Sequence, residues 1–286
     1  MSNITNYFKN YGCVISINLL ILLFSINLAI AKSAPESFAD LAESLSPSVV
    51  NISTTTVIEQ RSREMPSFPP GSPFEDFFKQ FEKPNGKKRK AQSLGSGFII
   101  DESGYVITNN HVIDNAEKIM VILYDDTSFE AKVVGKDPKT DVALLKIEPK
   151  TTKLKSVKFG DSNNLRVGDW VMAIGNPFGF GGTVTSGIIS ARNRSLGLSR
   201  YEDYIQTDAS INSGNSGGPL FDMNGDVIGI NTAILGRNGS IGIGFSIPSN
   251  SARIVIDQLI EFGETKRGWL GVRIQDVTKE IADIEK

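Results

Sequence analysis

From residue 94 to residue 248 the chain alternates short β-branched and apolar runs with turn residues. Phe98-Ile99-Ile100 and Tyr105-Val106-Ile107 flank an Asp-Glu-Ser-Gly turn. Ile119–Leu123, Ala131–Val134 and Val142–Ile147 follow at short intervals, then Trp170–Ile174, Thr183–Ser190 and Tyr204–Thr207. Leu220-Phe221, Val227–Thr232 and Ile241–Ile247 complete the series. Asn224-Gly225 between two apolar runs is a strong hairpin signal. Nine glycines between residues 213 and 244 exclude helix there. Roughly a dozen short strands at this spacing, with no helical pattern between them, predict an all-β barrel or sandwich.

Helical periodicity flanks this region. Phe38, Leu41, Ala42 and Leu45 predict a short helix over 37–46, with Ser37 and Asp40 able to cap its start and Pro47 to stop it. A strand is expected over 48–56. Ala252, Val255, Leu259 and Phe262 form one stripe of a C-terminal helix over 251–262, stopped by Gly263. Residues 59–93 differ: Pro, Ser and charge dominate, yet five Phe lie between Phe68 and Phe81, and a Lys83–Lys90 basic run follows. A solvated loop has no use for five Phe, so this reads as a mobile loop docking by its aromatics onto another subunit or site. The basic run reads as a solvated turn.

The N-terminus carries a different pattern. Residues 13–30 are mostly apolar, interrupted by Ser16, Asn18, Ser25 and Asn27, and Ala29-Ile30-Ala31 fits the small-x-small cleavage rule. This predicts a signal peptide over 1–31, cleaved to leave a mature chain with no stable membrane span, the alternative being an uncleaved membrane anchor. Export across the inner membrane into the periplasm is the expected localisation.

Composition narrows the chemistry. The chain has 286 residues, 40% hydrophobic and 22% charged, enough for a sizeable core. Its 30 basic and 32 acidic residues give a net charge of −2, which argues against nucleic acid as a partner. One Cys and one His exclude a Cys/His zinc site and any intrachain disulfide. No metal and no cofactor are expected. Any chemistry that needs an imidazole must use His111.

Three segments can supply such chemistry: Thr108 to Ile113 around His111, Thr140 to Leu145 around Asp141, and Gly214 to Leu220 around Ser216. A serine hydroxyl needs an adjacent base, and the base needs an acceptor to fix its tautomer and stabilise the imidazolium. The developing oxyanion needs preorganised N–H donors, which a Gly-x-Ser-Gly-Gly turn can present where a Cβ would obstruct. Singly each signal is weak. Together they place His, Asp 30 residues on and Ser 75 residues further. That is the order of the chymotrypsin-type double barrel, and the predicted strands divide the same way near residue 160.

The chain resembles the HtrA/Deg family of trypsin-like serine proteases. The motifs that carry the likeness include Gly95-Ser96-Gly97-Phe98, Gly175-Asn176-Pro177-Phe178-Gly179, Gln206-Thr207-Asp208 and Ile228-Gly229-Ile230-Asn231-Thr232. The resemblance implies a double β-barrel protease domain over 32–263, with a short N-terminal helix and a C-terminal helix. It implies His111 as general base, Asp141 as its orienter and Ser216 as nucleophile. The oxyanion hole would be Gly214, Asn215 and Ser216, with Gly214 and Ser216 as N–H donors. Residues 175–183, 190–202, 210–215 and 232–241 would be regulatory and pocket-forming loops, and residues 264–286 a linker and the incomplete beginning of a PDZ domain. It also implies a homotrimer built through the N-terminal segment, acting on unfolded or damaged envelope proteins.

Two departures from the wider superfamily carry information. Digestive relatives place an Asp just before the nucleophile to pair with a newly cut N-terminus, and here that residue is Asn215. Activation by loop ordering is expected instead. Arg/Lys-specific relatives place a carboxylate six residues before the nucleophile, and here that residue is Ser210. With Ile211 and Ile234 nearby, a small aliphatic residue is expected at the cleaved position. Asn231 and Thr232, with Ile234, would pair with extended substrate as an added strand. The alternative reading, a holdase chaperone or peptide-binding scaffold, has no need of all three residues and the glycine turn.

Overall fold

A computed structural model describes residues 34–58, 89–176, 182–197, 201–212, 214–234, 242–268, 271–272 and 277. The expected signal peptide, most of the Phe-rich loop and most of the expected PDZ start lie outside the described residues. The chain divides into a unit ending at Ser37 and a unit running from Phe38 onward, and the fold below is that of the second.

Helix α1 (Ala39–Leu45) begins two residues later than expected, behind an N-cap at Phe38 that makes no side-chain cap hydrogen bond. It tightens into a 3-10 turn over Ser46–Ser48 that contains Pro47. Phe38 meets Trp170 edge-on, with ring centroids 5.9 Å apart. The first barrel unit is an antiparallel sheet of seven strands: β1 (Val49–Ile58), β2 (Arg89–Asp101), β3 (Tyr105–Asn109), β4 (Lys118–Ile122), β5 (Ser128–Glu130), β6 (Lys132–Asp137) and β7 (Val142–Lys146). Their order is β5-β4-β1-β2-β3-β7-β6. Strand β2 starts at Arg89, inside the segment expected to be loop, because it pairs residue by residue with β1 from Val49↔Phe98 to Ile58↔Arg89. Backbone pairing thus overrides a polar local sequence.

The second unit is a closed barrel, β10-β13-β12-β11-β8-β9. Its strands are β8 (Trp170–Gly175), β9 (Thr183–Arg194), β10 (Tyr204–Thr207), β11 (Pro219–Phe221), β12 (Val227–Ile234) and β13 (Gly244–Pro248). The chain is the all-β double-barrel fold that the strand pattern and motifs point to.

Side-chain alternation explains why so many strands read as unbroken apolar runs. On β3 and β7, Val106, Ala143 and Leu145 fill the first barrel, while Ile107, Val142 and Leu144 face the seam between barrels. On β8, Val171 and Ala173 fill the second barrel, and Met172 and Ile174 face the seam. Strands buried on both faces have no polar face to show. Helix α2 (Asn110–Ile113) is a single turn after β3, and helix α3 (Ser249–Phe262) lays Ala252, Val255, Ile256 and Leu259 against the seam cluster. Gly263 closes α3 in the left-handed conformation, its N–H donating to the Leu259 carbonyl.

Beyond α3 the chain is tied back to the first barrel. Arg267 forms a two-pronged ion pair with the buried Asp137 at the end of β6, its Nη1 2.9 Å from Oδ1 and its Nη2 on Oδ2. Burial alone would push the Asp137 carboxyl up. Hydrogen bonds from Arg267 and Thr140, with the charge of Arg267, outweigh it and hold the carboxyl below its ordinary range. A carboxyl lowered in the folded state stabilises the fold fully above its unfolded value near pH 4, and loses that contribution as pH falls through the folded value. Arg267→Met is therefore expected to cost about 2 to 3 kcal/mol near neutral pH, by leaving a buried carboxylate short of its partner. In urea titrations from pH 7 to pH 3, the stability gap between wild type and variant should close on acidification. A gap independent of pH would contradict the assignment.

Candidate active site

Asp141 ends the turn between β6 and β7 in the left-handed region, at φ 59°. Asp tolerates that region better than most residues, because its short polar side chain can bond locally. Here the surroundings hold it. Its carbonyl accepts hydrogen bonds from Asn109 Nδ2 (2.8 Å) and the Asn110 N–H (3.1 Å). Its Oδ1 accepts the His111 N–H at 2.9 Å. Its Oδ2 lies 2.7 Å from His111 Nδ1 and accepts the Thr232 hydroxyl at 2.6 Å.

His111 sits on α2, whose Val112 and Ile113 are buried in the first barrel. The ring is left on the outer face, half exposed, over a carboxylate only 23% exposed. With Nδ1 against the Asp141 carboxylate, a neutral ring that donates there leaves its lone pair on Nε2.

Ser216 comes from the loop between β10 and β11. Its carbonyl accepts the Ser96 N–H at 2.9 Å. The next residue, Gly217, donates its N–H to the Asn231 carbonyl at 2.8 Å and has φ 84°. A Cβ on Gly217 would overlap the Ser96 carbonyl and Thr108 Oγ1, so only glycine lets this loop reach the first barrel. The structure therefore brings Ser216 onto the strands that lead into His111. Among the described residues the Ser216 hydroxyl makes no hydrogen bond, to the imidazole or to any other group.

The neighbouring N–H groups separate into two kinds. Among the described residues those of Gly214 and Ser216 are unspent. That of Asn215 donates to the Asn212 carbonyl at 3.0 Å, so Asn215 is corrected from oxyanion-hole member to loop brace. Its side chain is buried, donating Nδ2 to the Ser210 carbonyl at 3.3 Å and packing over Gly175.

The residues expected to touch substrate are scattered in role. Ser210 is exposed. Ile211 is only 1% exposed and packs inside the second barrel against Gly244, so it is core and not pocket wall. Asn231 is fully buried, donating Nδ2 to the Pro219 carbonyl (3.1 Å) and accepting the Ser246 hydroxyl (2.8 Å). Its side chain is structural, while its backbone fixes Gly217 and Gly218. Thr232 spends its hydroxyl on Asp141, a role the sequence did not suggest, while its backbone stays on the β12 edge expected to pair with substrate. Ile234 is on β12 opposite Gly244, and its side chain lies outside the described residues.

The sequence reading missed this role of Thr232 and also missed Ser96, although a Ser between two Gly on a strand was a signal of close packing. Thr232→Val keeps the shape and removes a hydrogen bond to a charge, so a loss of about 1 to 2 kcal/mol in urea denaturation is expected. Thr232→Ser should keep most of it. Equal losses in both variants would show that the bond itself contributes nothing.

Residues 95–230 match the family model of the trypsin-like peptidase domain. The chain is 48% identical over 272 residues to a probable periplasmic serine endoprotease DegP-like of Brucella suis biovar 1 (strain 1330), covering 86% of this chain and 53% of that protein. It is 49% identical over 275 residues to the protein of that description in Pseudomonas putida (strain W619), covering 92% and 57%. The chain thus spans little more than half the length of these relatives. Among solved structures, HtrA-type protease AlgW with tripeptide matches at TM-score 0.71 and 44% identity, over 87% of this chain and 72% of that one. The same protease with decapeptide matches at TM-score 0.70 and 43% identity, over 87% and 75%. On this likeness, which runs through both barrels, the chain belongs to the HtrA/Deg family of trypsin-like serine proteases.

Proposed function

We propose that the protein is a periplasmic serine endopeptidase that degrades unfolded or damaged envelope proteins. The observation that carries this reading is the pairing of His111 Nδ1 with Asp141, facing a loop whose Gly214 and Ser216 N–H groups are unspent. In the proposed reaction, His111 Nε2 takes the Ser216 Oγ proton as Oγ adds to the scissile carbonyl carbon. The Gly214 and Ser216 N–H groups receive the oxyanion. His111 then gives the proton to the leaving nitrogen, the C–N bond breaks, and an acyl ester remains on Ser216. Water adds to that ester with His111 again as base, and loss of the Ser216 oxygen restores the hydroxyl. Asp141 stays ionised throughout, orienting the ring and stabilising the imidazolium.

Substrate selection follows from what faces the site. Past the last β11 pairing, at Pro219↔Ile230, Thr232 to Ile234 has β13 on one side and no strand on the other among the described residues. That edge favours an extended chain, which unfolded proteins supply. Ser210 offers no carboxylate to a cationic side chain, and the nearby Asp208 Oδ1 is spent on the Ile188 N–H at 2.7 Å. That disfavours a cationic residue at the cleaved position, and a small aliphatic residue is the proposed preference. A holdase could use the same edge but has no need of the His111–Asp141 pair or of the unspent Gly214 and Ser216 N–H groups. The signal peptide over 1–31, the PDZ beginning in 264–286 and a homotrimer joined through the N-terminal segment complete the proposal.

Casein digestion by the full chain tests it. Wild type should degrade casein and Ser216→Ala should not, with wild-type cuts, read by mass spectrometry, mainly after Val, Ala or Ile. Equal digestion by the two proteins would remove Ser216 as nucleophile. Dominant cuts after Lys or Arg would overturn the specificity.

A further inference from the structure

Ser96 is fully buried on β2, in register with Asn51 of β1, and its hydrogen bonds converge on the nucleophile loop. Its N–H donates to the Ser216 carbonyl (2.9 Å) and its hydroxyl to the Gly214 carbonyl (2.5 Å). One first-barrel residue therefore holds the carbonyls of both residues whose N–H groups are left unspent. The hydroxyl also accepts the Asn176 N–H at 2.8 Å. Asn176 is held in turn, because Asn51 Nδ2 donates to its carbonyl at 2.9 Å and to the Gly95 carbonyl at 3.3 Å.

The chemistry of a hydroxyl makes this a directed chain. Oγ has one proton and two lone pairs. With the Asn176 N–H occupying a lone pair, the proton is aimed at Gly214. Gly214 has φ 102°, a conformation with little steric preference of its own. Its carbonyl lies in one peptide plane with the Asn215 N–H, so that peptide is held from both sides, by the Ser96 hydroxyl on its oxygen and by the Asn212 carbonyl on its N–H. We infer that Ser96 is a positioning residue that sets the oxyanion hole, and that the Asn176 peptide acts on the hole through it. This rests on the proposed role of Ser216 and deepens it. It assigns control of that site to a buried hydroxyl remote from substrate.

A merely structural bond between barrels would show in stability alone. A positioning bond shows in turnover. For Ser96→Ala in the full chain, kcat on a peptide substrate should fall about tenfold or more, toward the loss seen when an oxyanion donor is removed. KM should stay within about threefold, and the rate at which a fluorophosphonate labels Ser216 should fall in parallel with kcat. Asn51→Ala, which loosens Asn176 and leaves the Ser96 hydroxyl in place, should give the same kcat-only pattern at smaller size. Thermal denaturation of each variant confirms folding, and Asn51→Ala decides by the same criteria if Ser96→Ala does not fold. If wild type itself is not labelled at Ser216, the underlying function fails. If wild type is labelled and a folded Ser96→Ala matches it in labelling rate and kcat, the inference is overturned. A rise in KM with kcat unchanged overturns it too.

Discussion

The site depends on one carboxylate being held from both barrels at once. Asp141 Oδ2 takes the imidazole from the first barrel and the Thr232 hydroxyl from the second, while Oδ1 and the carbonyl are bound by the segment Asn109–His111. A left-handed Asp costs about 1 kcal/mol or more when nothing supports it. Here its surroundings overdetermine it. The consequence is orientation: the ring cannot turn without breaking a charge-assisted bond, so Nε2 is presented outward. The seam cluster behind it, with Ile107, Leu144 and Met172 packed together, keeps the two barrels in register so that Thr232 can reach across.

The Ser216 loop is held by the same device in neutral form. Its contacts with β2 and β12 run through Ser96 and Asn231, and Gly217 makes room for the first barrel's backbone. Both halves of the site are thus built on strands, and only the reacting groups stand on turns. A rigid sheet carries the precision, and short loops carry the chemistry.

Much of this was legible in the sequence. Alternation and turn residues located the strands, and the spacing of His111, Asp141 and Ser216 matched the order in which two barrels would present them. What was not legible came from pairing and burial. Strand β2 runs back to Arg89 because β1 offers it partners, and no local pattern announces that. Asn215 stands in the glycine turn yet spends its N–H inside the loop, a matter of peptide orientation that composition does not encode. Ile211 looked like a pocket wall, but the turn before Ser216 sends it inward against Gly244. Thr232 was expected to pair with substrate as part of an added strand, and only the approach of Asp141 from 91 residues away gives its hydroxyl a partner of its own.

Asn215 gives the loop a further property. With an Asp there, a cut N-terminus could lock the loop through a buried ion pair, and breaking such a pair costs several kcal/mol. Here the described loop contacts are neutral: Ser96 to Gly214 and Ser216, Gly217 to Asn231, Gly218 to Asn215, and Asn215 to Ser210. A neutral hydrogen bond contributes about 1 kcal/mol net, because water competes for each partner. A few such bonds hold the loop less firmly than a buried ion pair would. By contrast, the turn from Asp137 to Asp141 carries a carboxylate at each end, one paired with the Arg267 guanidinium and one hydrogen-bonded to His111 and Thr232. The division follows from the two kinds of bond. The Asp141 carboxylate is bound by several donors at once, while the Gly214 and Ser216 N–H groups sit on a loop held by neutral bonds.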